Sequence, residues 1–321
     1  MRATAIAPVH IPVMLDEVIA ALRPALAGGS VLVDATLGLG GHAEALLNAC
    51  PQARLVGIDR DGEALALAGQ RLAPFGERIS LVRARFDALS KVLDNFGIAS
   101  VQAILFDLGL SSLQIDETRR GFAYAKDDAP LDMRMDDRLD IDAATIVNTW
   151  SVADLARVFR DFGEEPHALR VAQAIVTMRN DNPIKSTAQL TQIVTNAMPA
   201  AVRFGSGGHP AKRVYQSLRI AVNGELEALA NVLPLALDRL GLGGRIAVLS
   251  YHSLEDRLVK QAFQKASQDQ APRGLPIVPD GLLAQFSLVS RGALRPTDDE
   301  ITRNPRAASA RLRVIKRIKE A

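Results

Sequence analysis

The chain has 321 residues, 48% hydrophobic and 23% charged, with one cysteine and a net charge of +2. A lone Cys50 excludes an intramolecular disulfide and a cysteine-built zinc site. The five histidines are scattered, so no metal is expected, and no apolar run is long enough to span a bilayer. Met1 to Val9 lacks the apolar block of a secretory signal, and a cytoplasmic location is expected.

In chain order, Ser30 to Asp34 is a short apolar strand, Gly38 to Gly41 breaks it, and His42 to Ala49 reads as a helix. Arg54 to Asp59 is a second strand, followed by the helix Gly62 to Leu72; Ile79 to Ala84 and Val101 to Asp107 are the third and fourth strands. This alternation predicts a parallel sheet covered on both faces. From about residue 117 to 215 no convincing strand is found. Amphipathic patterns over Val152 to Phe162, His167 to Arg179 and Thr187 to Met198 predict an all-helical insertion. The core, residues 1–116 and 216–321, then resumes with a largely helical stretch from Val214 to Leu240. Gly243-Gly244 is expected to end that stretch before a fifth strand, Arg245 to Ser250. A helix over Leu254 to Ala266 follows. Phe286 to Ser290 and Ala310 to Ile318 are expected to pair as an antiparallel edge. Arg303 to Lys319 holds seven basic residues and no acidic one, which suits either a charge-guarded strand edge or a phosphate-facing surface.

Ligands of open α/β sheets bind at the carboxyl ends of the strands. Four features fall there. Asp34 begins the turn containing Gly38, Gly40, Gly41 and His42, where glycine lets the backbone approach a ligand closely. Asp59 ends the second strand and suits a ribose diol, or else a helix cap. Phe86, just past the third strand, suits an adenine wall or an ordinary core. Asp107 ends the fourth strand, with Gln114 seven residues on. A glycine turn alone fits a dinucleotide as well as S-adenosylmethionine. Acidic residues at Asp34 and Asp107 would repel a pyrophosphate and attract a sulfonium, which favours the methyl donor.

Five motifs carry a resemblance over nearly the whole chain. They are His10-Ile11-Pro12-Val13-Met14, Gly38-Leu39-Gly40-Gly41-His42, Asp107-Leu108-Gly109-Leu110-Ser111-Ser112, Leu131-Asp132-Met133-Arg134-Met135-Asp136 and Leu249-Ser250-Tyr251-His252-Ser253-Leu254-Glu255-Asp256-Arg257. Together they resemble the bacterial ribosomal small-subunit methyltransferase H, or MraW, family. The resemblance implies a seven-stranded Rossmann-like, S-adenosylmethionine-dependent methyltransferase sheet with an inserted helical domain. It implies methylation of the exocyclic 4-amino group of a decoding-region cytidine in 16S rRNA of the small ribosomal subunit. It also implies a donor site at Gly40, Gly41, His42, Asp59, Phe86, Asp107 and Gln114. Leu113 stands where the family usually has proline, which could alter how Gln114 meets the donor, and Gly224 stands where an acidic or amide residue is common.

Many amino-methyltransferases carry an aromatic after the fourth strand; Asp107-Leu108-Gly109-Leu110 lacks it. Attention therefore moves to Tyr251 and His252 after the fifth strand. They either contact the target cytosine or brace their loop through Glu255 or Asp256. Asp107, Tyr251 and His252 are the catalytic candidates. The helical insertion is expected to cover the site and recognise RNA, with Arg119, Arg120, Phe122, Tyr124, Lys212 and Arg213 suited to phosphate and base contacts. Asp132 to Arg138 reads as internal ion pairing rather than a magnesium site. A membrane partner is not expected, and a homodimer is left open. On residues alone, a nicotinamide-dependent oxidoreductase and a non-catalytic ribosome-assembly factor are the rival readings.

Overall fold

The computed structural model describes residues 12–111, 113–114, 117–122, 128–203, 208–271 and 279–320. His10, Ile11, Ser112 and Tyr124 of the sequence reading lie outside the described residues. The chain forms two compact units, one of Met1–Gly109 with Glu227–Ala321, the other of Leu110–Leu226.

The first unit is built on a seven-stranded sheet. Its strands are β1 (Val31–Asp34), β2 (Arg54–Asp59), β3 (Ile79–Arg83), β4 (Val101–Asp107), β5 (Leu240–Ser250), β6 (Phe286–Leu288) and β7 (Arg311–Arg317). Their order is β3-β2-β1-β4-β5-β7-β6. The first five run parallel, and β7 pairs antiparallel with both β5 and β6. Reversal between β1 and β4 makes the crevice at their carboxyl ends the switch point, where Asp34 and Asp107 end neighbouring strands.

Both faces of the sheet are buried, which explains the nearly unbroken apolar runs. Side chains alternate along β4: Ala103 and Leu105 join one core with α1 (Leu15–Leu22) and α2 (Gly41–Ala49), while Ile104 and Phe106 join the opposite core with Leu89, Val92 and Leu93. That opposite core is completed by α3 (Leu89–Asn95) and by Leu229, Val232 and Leu233 of the helix Glu225–Asp238.

Two sequence expectations change here. The helix before β5 stops at Asp238, and Gly243 and Gly244 lie inside β5 rather than capping a helix. The strand slips register there, pairing Leu240 with Val101 but Arg245 with Ala103, and Gly243 supplies the positive φ of 77° that the irregularity requires. β7 is also no edge strand. It lies between β5 and β6, so its basic residues do not guard an edge. Arg317 is buried, donates to the Leu240 carbonyl at 2.7 Å and stacks over Phe286.

In the second unit, helices over Ala143–Thr149, Val152–Gly163, Ala168–Asp181, Thr187–Ala197 and Lys212–Asn223 share one core around Leu155, Phe159, Val171, Leu190 and Leu218, while the short helix Ala200–Arg203 buries no residue. Helix starts follow the expected chemistry. Ser151 and Asp142 cap two of them, and Ser186 with Gln189 forms a capping box. Gly224 explains the departure noted at its position, because it ends the helix Lys212–Asn223 in the left-handed conformation at φ 61°. Asp132 and Asp136 pair with Arg134 and Arg138, each at 2.8 Å, so these two carboxylates are engaged by arginines.

Candidate active site at the carboxyl ends of the strands

The glycine turn leaves β1 with Gly38 and Gly40 at positive φ, 53° and 77°. Gly40 caps α2 in the left-handed conformation. A Cβ on Gly41 would meet Pro12 at 2.6 Å, so the 12–14 segment lies tight against the start of α2. His42 is buried, and its Nε2 donates to the Val13 carbonyl at 2.9 Å. That bond ties the amino-terminal segment to the turn. Glu300 also holds this segment by accepting from Met14 N at 2.5 Å.

Asp59 is not a helix cap; Asp61 performs that task by accepting from Glu63 N and Ala64 N. One Asp59 oxygen accepts from Gly38 N at 2.7 Å and the other from Asp61 N at 2.8 Å. The carboxylate therefore fixes the glycine turn to the tip of β2. Phe86 follows β3 after a short turn. It is half-buried and meets Phe106 edge-on with centroids 6.0 Å apart.

Asp107 receives the Tyr251 hydroxyl at 2.6 Å on one oxygen, and His42 Nδ1 lies 3.4 Å from the other. Its backbone N–H donates to Thr36 Oγ1 at 2.6 Å, which locks the tips of β1 and β4 together. Gly109, at φ 100°, brings the backbone under the Tyr251 ring; a Cβ there would lie 3.3 Å from Cδ2. Tyr251 is held in turn by Glu255, whose Oε2 accepts from Tyr251 N at 2.8 Å and from His252 N at 3.3 Å. Glu255 is itself buried at the start of the helix Ser253–Ala266.

Of the two alternatives that the sequence leaves open for His252, its geometry is that of the loop brace. Its ring caps that helix, with Nδ1 facing Glu255 N and Nε2 3.1 Å from the Glu255 carboxylate. We assign it the bracing role. Gln114 belongs to the helical unit, where its side chain accepts from Ser111 N at 3.1 Å. Phe122 is buried in that unit's core, so it is no stacking platform. Arg119 and Arg120 both pair with Glu117, and Arg213 donates to the Glu164 carbonyl.

Electrostatically the site is a nest of carboxylates. Burial pushes Asp34 up to about 8, with Asp107 and Asp59 adding repulsion. Burial likewise pushes Asp59 up to about 6. Tyr251 is raised well above its ordinary value by burial and then by the Asp107 charge, so its hydroxyl keeps its proton and donates. Among the described residues no cation pairs with Asp34. Buried acids that repel one another are relieved by a cationic ligand, and glycines leave the backbone open to it. The residues present thus fit a sulfonium with an adenosine moiety and oppose a pyrophosphate. Sequence reading passed over Thr36 as a site residue, because no distinctive motif marks it and only folding shows that it clamps a strand tip. Glu255, which the sequence offers as a loop brace, is the residue that holds Tyr251.

Sheet order, strand-tip acids and glycine turn define the class of S-adenosylmethionine-dependent methyltransferases. Residues 7–318 match the family model described as the MraW methylase family. The chain belongs to that family. A protein of Streptomyces avermitilis named ribosomal RNA small subunit methyltransferase H is 53% identical over 312 residues, spanning 97% of this chain and 98% of that one. Proteins of the same name from Cutibacterium acnes and Thermobifida fusca are 55% and 54% identical. They cover 97% and 98% of this chain, and 92% and 95% of their own length.

Proposed function

We propose that this protein methylates the exocyclic 4-amino group of a decoding-region cytidine in 16S rRNA, acting on the small ribosomal subunit in the cytoplasm. The helical unit serves as its substrate-recognition domain. Family membership over residues 7–318 and the printed name of the relatives support the rRNA substrate. The observation that carries the chemistry is the hydrogen bond from Tyr251 to Asp107 at the tip of β4.

S-adenosylmethionine supplies an electrophilic methyl group on a positively charged sulfur. The new bond joins that methyl to N4 of cytosine, the methyl–sulfur bond breaks with its electron pair going to sulfur, and N4 gives up one proton. An exocyclic cytosine amine is a weak nucleophile because its lone pair is delocalised into the ring, so alignment and a proton acceptor matter most. Asp34 and Asp107 bring negative charge to the sulfonium. Asp59 and the glycine turn hold the ribose end, and Phe86 walls the adenine. Asp107, steadied by Tyr251, is the acceptor that draws positive charge from the amine. Gln114 is proposed as the remaining donor contact.

The test is transfer of a radiolabelled methyl group to small subunits from a strain lacking the protein, with the product nucleoside identified. N4-methylated cytidine is expected. Tight NAD binding without transfer would return the oxidoreductase reading, and binding to subunits with no methylation of any RNA would return the assembly-factor reading.

A further inference from the structure

The excess of positive charge belongs to the sheet unit, because the Leu110–Leu226 unit has fewer basic than acidic side chains. The densest basic run, Arg303 to Lys319, enters the sheet as β7. Register sets Arg311 opposite Ser250, the residue before Tyr251, so β7 begins at the same end of the sheet as the acidic strand tips. Arg311 and Arg313 share one face of β7 and converge on a single carboxylate. Asp256 accepts from Arg311 at 2.8 Å and from Arg313 at 2.7 and 3.1 Å.

Asp256 is buried, while the Arg311 side chain is 40% exposed and that of Arg313 17% exposed. Burial would raise the Asp256 carboxyl, but the two guanidiniums more than offset it and hold it below its usual range. One negative charge therefore orients two positive ones and leaves a net charge of plus one, with the Arg311 side chain partly exposed to solvent. A guanidinium presents five donors in a planar fork matched to phosphate oxygens.

We propose that Arg311 and Arg313, oriented by Asp256, form a phosphodiester clamp for the RNA strand that delivers the target base. The inference rests on the rRNA reading above and adds to it a contact on the sheet unit itself. A backbone clamp at the same end of the sheet as Tyr251, on the opposite face, would fix the strand's register without reading its sequence.

The test uses full-length enzyme and small subunits from a strain lacking it. Arg311→Gln should raise KM for the subunit about ten-fold and lower the slope of log affinity against log salt by about one, since one phosphate contact is lost. Donor affinity and kcat should hold. Unchanged KM and salt slope, with only a lower melting temperature, would show an internal brace and overturn the clamp. If the glutamine variant melts too far, Asp256→Asn takes its place. It keeps both charges but frees them, so KM should rise while the salt slope stays; an unchanged KM overturns the proposal. A wild-type enzyme that transfers no methyl to the subunit would sink the functional reading instead, before any variant is compared.

Discussion

Tyr251 reaches across from the end of β5 to donate its hydroxyl to Asp107 at the end of β4, at 2.6 Å. The bond joins the tip of β4 to the loop that Glu255 braces. Tyr251 is thus a positioning residue for Asp107 in the first instance. Tyr251→Phe keeps the ring over Gly109 and removes only the donor. A hydrogen bond to a charged group contributes about 1.5–3 kcal/mol, so kcat should fall roughly ten-fold or more with little change in melting temperature. Steady-state methyl transfer with a parallel thermal melt checks this. Full activity in the phenylalanine variant would show that Asp107 needs no such support.

Gly109 makes the contact possible. Its φ of 100° is strained for any L side chain, and an added Cβ would press on the Tyr251 ring. Gly109→Ala should destabilise the fold by about 1–2 kcal/mol and depress turnover further than Tyr251→Phe, because the ring itself is displaced. Denaturant melts and rate measurements on the two variants would show whether the order is reversed.

Asp34 and Asp59 predict the pH behaviour. Both carboxyls sit above their ordinary 3.8 in the folded protein, at about 8 and about 6. Between the ordinary value and those raised values the folded chain binds more protons than the unfolded chain. Stability of the ligand-free protein is therefore greatest at the acidic side of this window and is lost as pH rises through it. Melting temperature should fall from about pH 5 to about pH 8, and Asp34→Asn should flatten the slope while weakening donor binding. Because a sulfonium favours the ionised acids, donor affinity should rise with pH and binding should release protons. Calorimetry in buffers of different ionisation enthalpy reads that release directly.

In the helical unit, buried Asn223 donates to the Met133 carbonyl at 2.7 Å and accepts from Met135 N at 2.9 Å. Met133 sits at a positive φ of 61°, so the side chain stands in for secondary structure where the chain bends. Asn223→Ala leaves two buried backbone groups unpaired and should cost about 2–4 kcal/mol. An urea melt with a loss below 1 kcal/mol would mean that the bend finds other partners.

The parallel strands, the glycine turn, the tips at Asp59 and Asp107 and the main helices of the insertion were legible in the sequence, because each depends on a local period or a local backbone demand. Other features were not. Helix Ala143–Thr149 is two turns long and too short for a convincing periodic signal. The glycines at 243–244 resembled a helix stop, since a bulged strand and a capped helix call on the same backbone freedom. The basic run suits a guarded edge or a phosphate-facing surface in sequence, and only the pairing of β6 outside β7 removes the first.

By itself, then, the sequence determined the family, the alternating architecture and which acids end the strands, all properties of neighbouring residues and their spacing. Only the tertiary structure decided that Tyr251 serves Asp107 and that Asp256 gathers Arg311 and Arg313. Those pairings join residues up to 144 positions apart in the chain. No local pattern encodes them, because they exist only once the sheet order has brought β4, β5 and β7 side by side.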